Sequence, residues 1–163
     1  MTTQKKLILG ISLGTRRLGI AVGTKEELID WQVKGFYRTF SQKEADKICR
    51  AIERIIETYN VTTIAMKAPH PVKRSAAINY CLSSLSYLAQ SKHISMYLYS
   101  IEEIEKQLLK KSKKNKLGLA TCIYHKYPEL QTEYRKVQSG KAMYYSKVFE
   151  AAAVIALTLT SLQ

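Results

Sequence analysis

Residues Leu7 to Val22 read LILGISLGTRRLGIAV. Two short apolar runs, Leu7 to Ile11 and Leu18 to Val22, flank a glycine and a pair of arginines. Apolar runs of this length, bounded by turn residues, are strand signals. Gly14 punctuates them as a tight turn, so the two runs pair as a hairpin. Ser12 then closes the first strand, and Arg16 and Arg17 sit on the turn beside it.

Outward from this hairpin, Leu28 to Tyr37 alternates enough to be a third strand. Ser41-Gln42-Lys43-Glu44 is a capping box, in which the serine hydroxyl and the glutamate carboxylate each satisfy an orphan backbone donor. Ala45, Ile48, Ile52, Ile55, Ile56 and Tyr59 follow at helical spacing, which predicts a long amphipathic helix to about Asn60. Thr62 to Lys67 is a β-branched run and the fourth strand, parallel to the first through a right-handed crossover. Pro69-His70-Pro71 breaks the chain. A helix over Lys73 to Ser91 carries Ala77, Tyr80, Cys81, Leu85 and Leu88, and Ile94 to Tyr99 is the fifth strand. Ser100 with Glu103 caps a short helix. Lys110 to Lys116 holds five lysines in seven residues. Leu117 to Tyr127 is helical, Glu129 to Gly140 is a loop or irregular helix, and Ala142 to Leu162 closes the chain. Val148, Phe149, Ala152, Ile155, Ala156 and Leu159 give that last helix a broad apolar face.

Length and composition bound the function. At 163 residues the chain, 1–163, is read as one domain. No apolar run reaches the roughly 18 residues of a spanning helix, and Leu7 to Ile11 is too short for a secretory signal. Cys49, Cys81 and Cys122 lie among apolar neighbours and read as buried free thiols. The histidines His70, His93 and His125 lack metal-ligand spacing. These features imply a cytoplasmic protein with no membrane partner. Twenty-six Lys and Arg against thirteen Asp and Glu give a formal net charge of +13. So basic a small domain points to a polyanionic partner, DNA or structured RNA.

The opening stretch, with its Gly10-Ile11-Ser12-Leu13-Gly14-Thr15 wording and the element order β-β-β-α-β-α-β, resembles the RuvC and YqgF resolvase branch of the RNase H-like fold. The resemblance implies an α/β fold: a mixed five-stranded sheet, its first three strands antiparallel, flanked by helices. It also implies a two-metal nuclease site built from carboxylates on the first strand, at the end of the fourth, and at i and i+3 on the last helix. Those positions here are Ser12, Lys67, Lys147 and Glu150. Only Glu150 can ligate a hard cation, so no metal and no cofactor are expected, and Mg²⁺ or Mn²⁺ enters only if the site is rebuilt. Lys67 and Glu150 are expected to pair.

Other constellations compete. Ser12 lacks a nearby histidine that would make it a nucleophile. Glu26, Glu27 and Asp30 form an acidic cluster that could serve a displaced metal site with Glu150, or simply a solvated hairpin tip. Gly10-x-x-x-Gly14-Thr15 also resembles the first phosphate loop of the actin and sugar-kinase superfamily, whose chains carry two such domains. Arg16, Arg17, Lys73, Arg74, Lys110, Lys111, Lys113, Lys114 and Lys116 are the candidates for phosphate contact, the alternatives being solvated arginines on the turn and a solvated loop for the lysine run. Tyr124, Tyr127, Tyr134, Tyr144 and Tyr145 are either base-stacking rings or helix-packing residues. The leading reading is a catalytically degenerate resolvase-fold protein that holds structured or branched nucleic acid by its backbone. The rivals are an active Mg²⁺ or Mn²⁺ endonuclease rebuilt around Glu150, and an interaction subunit without nucleic acid. A homodimer across Lys73 to Ser91 is also implied by the resemblance.

Overall fold

The computed structural model describes residues 5–36, 40–110 and 113–161, apart from the side chains of Lys73, Met143 and residues 159–161. Strands β1 (Ile8–Leu13), β2 (Arg17–Gly23) and β3 (Leu28–Gly35) come first, then helix α1 (Gln42–Tyr59), strand β4 (Thr63–Lys67), helix α2 (Ala76–Ser91) and strand β5 (Ser95–Tyr99). Helices α3 (Ile101–Leu108), α4 (Lys116–Lys126), α5 (Gln131–Lys136) and α6 (Ala142–Ser161) complete the chain. The sheet order is β3-β2-β1-β4-β5. β1, β2 and β3 pair antiparallel, whereas β4 is parallel to both β1 and β5. The expected α/β architecture, a mixed five-stranded sheet flanked by helices, is the observed one.

Every residue of β1 is buried, because both faces of the sheet centre are covered. Side chains alternate between those faces. Leu9, Ile11 and Leu13 join Ile48, Ile52, Ile78 and Leu85 beneath α1 and α2. Ile8 packs on the other side with Phe149, Ala152 and Ile155 of α6, and Gly10 and Ser12 face that helix too. Two glycines set how close α6 comes. A Cβ at Gly10 would fall on the Ala151 carbonyl oxygen, and one at Gly19 on that of Lys147. The helix backbone therefore lies directly on β1 and β2.

Several expectations are corrected. The helix drawn from Lys73 begins at Ala76, because residues 71–73 form a single 3₁₀ turn and Ser75 caps the helix through the Ile78 N–H. Its buried residues are Ile78, Cys81, Leu85 and Ala89, and of the expected stripe Ala77 and Leu88 pack beside them while Tyr80 does not. Tyr80 is exposed and donates to Asp46 at 2.7 Å. Cys49 and Cys81 meet where α1 packs on α2; the hydrogen bond that the Cys81 thiol donates to Cys49, then burial, pushes Cys81 up. At Ser41 the hydroxyl caps the Glu44 N–H as expected, but the Glu44 carboxylate turns to Lys47 at 3.7 Å. α6 is buried all round from Val148 to Leu157 rather than on one face, since α4 covers its outer side. Gly140, with φ of 100°, separates it from the preceding irregular turn. The stretch from Glu129 is anchored to β3: Glu129 accepts from the Leu28 N–H at 2.8 Å, and Glu133 from the Trp31 indole at 3.0 Å. Tyr37 and the packing of Leu159 lie outside what is described. No helix among the described residues is long and apolar enough to cross a membrane.

The close approach of α6 can be tested by adding one methyl group. Gly10→Ala and Gly19→Ala should each cost about 1–3 kcal/mol by overpacking. Gly35→Ala, whose Cβ would meet the Tyr144 ring at an ordinary 3.5 Å, should cost far less. Urea denaturation of the three variants checks this order.

Candidate nucleic-acid interface

β1 and β4 run parallel and end side by side, with Ser12 in register with Lys67. Lys147 and Glu150 lie at i and i+3 on α6 and so share one face of the helix. The glycine contacts press that face onto the strand ends. The four positions converge. Ser12 donates to Glu150 Oε1 at 3.0 Å. Lys147 Nζ is 3.2 Å from the same oxygen, and Lys67 Nζ is 3.2 Å from Oε2. The expected Lys67–Glu150 pair is present, and Lys147 completes it as a triad. Lys147 reaches across Gly14, where a Cβ would meet its Cε at 3.0 Å. Gly14 closes the turn through its N–H to the Arg17 carbonyl at 2.9 Å and leaves room for that side chain.

Burial alone would raise the Glu150 carboxyl, but Lys147 and Lys67 outweigh it and, with the Ser12 hydroxyl, hold it below the usual range. Burial, followed by repulsion from Lys67, pulls the Lys147 ammonium down despite its pairing with Glu150. The centre thus holds two ammonium groups and one carboxylate.

A cleft of about 300 Å³ opens beside this centre, lined among others by Thr15, Arg16, Arg17, Lys67, Lys116 and Lys147. A second hollow of about 290 Å³ shares Lys67, Lys116, Ser146 and Lys147 with it and reaches Glu150. Arg16 comes from the β1–β2 turn, which is pinned by the Phe36 N–H to the Arg16 carbonyl at 2.8 Å, and Arg17 is the first residue of β2. Lys116 opens α4 behind its cap, Asn115. Of the nine basic residues assigned to phosphate from sequence, these three line the cleft. Arg74 does not; its guanidinium donates to the Pro69 carbonyl at 3.3 Å and borders a separate groove between α2 and β5. Lys110, Lys113 and Lys114 are exposed between α3 and α4 and do not line it. The Lys73 side chain and Lys111 lie outside the described residues. His70 lines the cleft while its Nδ1 accepts from the Val72 N–H at 3.2 Å.

A pair of divalent cations needs several anionic oxygen ligands. The donor set here does not fit, because the one carboxylate is already held by two ammonium groups. The acidic cluster cannot supply the rest. Asp30 lies opposite Val22 and accepts from Tyr59 of α1 at 2.7 Å, on the sheet face away from α6. Glu26 and Glu27 occupy the β2–β3 turn, at the far end of β1 from Ser12. Glu27 pairs instead with Lys5 at 3.0 Å. Among the described residues no three His, Cys, Asp or Glu side chains cluster to hold a metal.

Solved structures share this arrangement of elements. Thermus thermophilus RuvC in complex with a Holliday junction substrate superposes with a TM-score of 0.70 at 13% identity, covering 96% of this chain and 95% of that one. The chain has the RuvC fold. The yeast mitochondrial Holliday junction resolvase gives 0.60 at 12% identity, over 96% of this chain and 84% of that one. The Fowlpox virus resolvase, solved with substrate Holliday junction DNA, gives 0.58 at 11% identity, over 96% and 98%. No protein-family model and no curated protein sequence matches the chain. Against RuvC-type expectations for carboxylates, the strand ends here present Ser12 and Lys67.

The triad makes two measurable demands on stability. Glu150→Gln leaves two ammonium groups without a counter-charge and should cost about 3–5 kcal/mol in chemical denaturation. The folded carboxyl lies below its ordinary value of about 4.5, so Glu150 adds stability above that pH. That contribution should fall away as pH drops from 4.5 through the folded value, and its loss should be absent in Glu150→Gln.

Proposed function

We propose that this chain binds nucleic acid through phosphate contacts in the Arg16–Arg17–Lys116 cleft and does not cleave it. The observation that carries this reading is the Lys67–Glu150–Lys147 triad, which places ammonium groups where a nuclease of this fold needs cation ligands. An environment that repels Mg²⁺ attracts a phosphodiester. Guanidinium forks and lysines hold phosphates without reading bases, so selection follows backbone shape. Branched or otherwise structured DNA is the substrate class that the shared fold favours. The overall charge of +13 supports the same partner.

Mobility shifts on a four-way junction and on duplex DNA, over a salt series, test the proposal. Affinity should fall steeply with salt, and Arg16→Ala with Arg17→Ala should lower the log–log slope by about 2. Neither Mg²⁺ nor Mn²⁺ should produce cleavage. Metal-dependent cutting that disappears in Glu150→Gln would overturn the non-cleaving reading.

A second copy is proposed to meet the groove between α2 and β5. Tyr87 there is 74% exposed and Leu98, on the edge strand, 51%. Sedimentation should show a dimer that Tyr87→Glu with Leu98→Glu disperses; a wild-type monomer at high concentration refutes it.

A further inference from the structure

The tyrosines of the last third divide into two groups. Tyr124 and Tyr134 stack on each other at 4.5 Å and 8°, and Tyr134 meets Phe149 edge-on at 6.4 Å. Tyr127 is buried and donates to the Thr24 carbonyl at 3.0 Å. These are packing residues. Tyr144 differs. It stands in the first turn of α6 with 37% of its surface exposed. Its ring lies over Gly35 at the end of β3, and Tyr145 braces it edge-on at 5.0 Å and 69°. The Arg17 guanidinium sits 5.5 Å from the ring centroid. Arg17 and Gly35 are register partners, so ring and guanidinium share one corner of the sheet. Arg17 also lines the cationic cleft. A planar cation and an open aromatic ring therefore adjoin a site for phosphates.

We infer that Tyr144, backed by Arg17, is a stacking platform for an unpaired nucleobase whose strand runs its phosphates through the cleft. The inference rests on the phosphate-binding reading above and adds what it lacks, a preference for strands with unpaired bases. Bases inside a duplex are stacked on one another and have no free face to offer. A base at a single-stranded segment or branch point has one, and any base can use it. The platform would confer selectivity for structure without selectivity for sequence.

The test uses the full chain with a short single strand carrying 2-aminopurine, whose fluorescence stacking quenches, and the matching duplex. Wild type should quench the probe and bind the single strand. Tyr144→Leu, which keeps apolar bulk over Gly35 but removes the aromatic face, should lose the quenching. Its single-strand affinity should drop about 5- to 150-fold, the range expected for about 1–3 kcal/mol per stacked base. Duplex affinity should stay constant, and Tyr144→Phe should behave as wild type. Single-strand binding and quenching unchanged in Tyr144→Leu overturn the platform, as does wild-type binding to duplex alone; both leave the cleft reading intact. Absence of salt-dependent binding to any nucleic acid sinks both readings. Excess adenosine monophosphate should not displace the strand; if it does, the platform serves free nucleotides and the strand proposal fails.

Discussion

The contact between the α6 backbone and the backbones of β1 and β2 underlies everything else in this molecule. A helix normally stands off a sheet by the thickness of its side chains. Here Gly10 and Gly19 remove that thickness at two points, and carbonyl oxygens of Ala151 and Lys147 occupy the space. The small residues Ala151, Ala152 and Ala153 continue the approach and are fully buried. Lys147 and Glu150 have no freedom to choose their neighbours once the helix is seated. Their side chains must meet Ser12 and Lys67, and the charges must be compatible at about hydrogen-bond range.

That geometric demand explains why the centre holds an anion at all. Two ammonium groups brought together out of water repel each other, and each loses hydration. Glu150 answers both, giving one carboxylate oxygen to each lysine and taking the Ser12 hydrogen bond as well. The result is satisfied internally yet retains an excess of one positive charge. A centre of this kind is rigid, because each member is fixed by the others. It also presents a positive floor to the cleft above it, to which Arg16, Arg17 and Lys116 add.

Much of this is legible in the sequence alone. The hairpin, the first long helix, the parallel fourth strand and the pairing of Lys67 with Glu150 all follow from local patterns combined with one resemblance. What was not legible depends on tertiary placement. Arg17 and Arg74 look equivalent in sequence, each next to another cation, yet one lines the cleft and the other borders a separate groove. On α2 the stripe errs only at Tyr80, whose ring is apolar enough to suggest burial while its hydroxyl is better satisfied outside by Asp46. The acidic cluster looked available to Glu150 until strand register put Asp30 on the other face. Period-two patterning tells which residues share a face, but it does not say which helix covers that face.

The same limit applied to the tyrosines, and there the physical reason is instructive. Rings that alternate with lysines and arginines carry one sequence signature whether they pack or stack. Packing takes a ring hemmed in by other rings, as Tyr134 is by the stacked Tyr124 and the edge-on Phe149. A platform needs one supported side and one open side. Tyr144 rests over the end of β3, where its ring edge lies within contact range of Gly35. The Arg17 guanidinium, over the ring at 5.5 Å from its centroid, backs it on the side of the cleft. An arginine at the start of β2 thus bears on the role of a tyrosine more than one hundred residues later. Such long-range determination is why composition could suggest nucleic acid, while only the assembled corner could suggest which part of a nucleic acid it would touch.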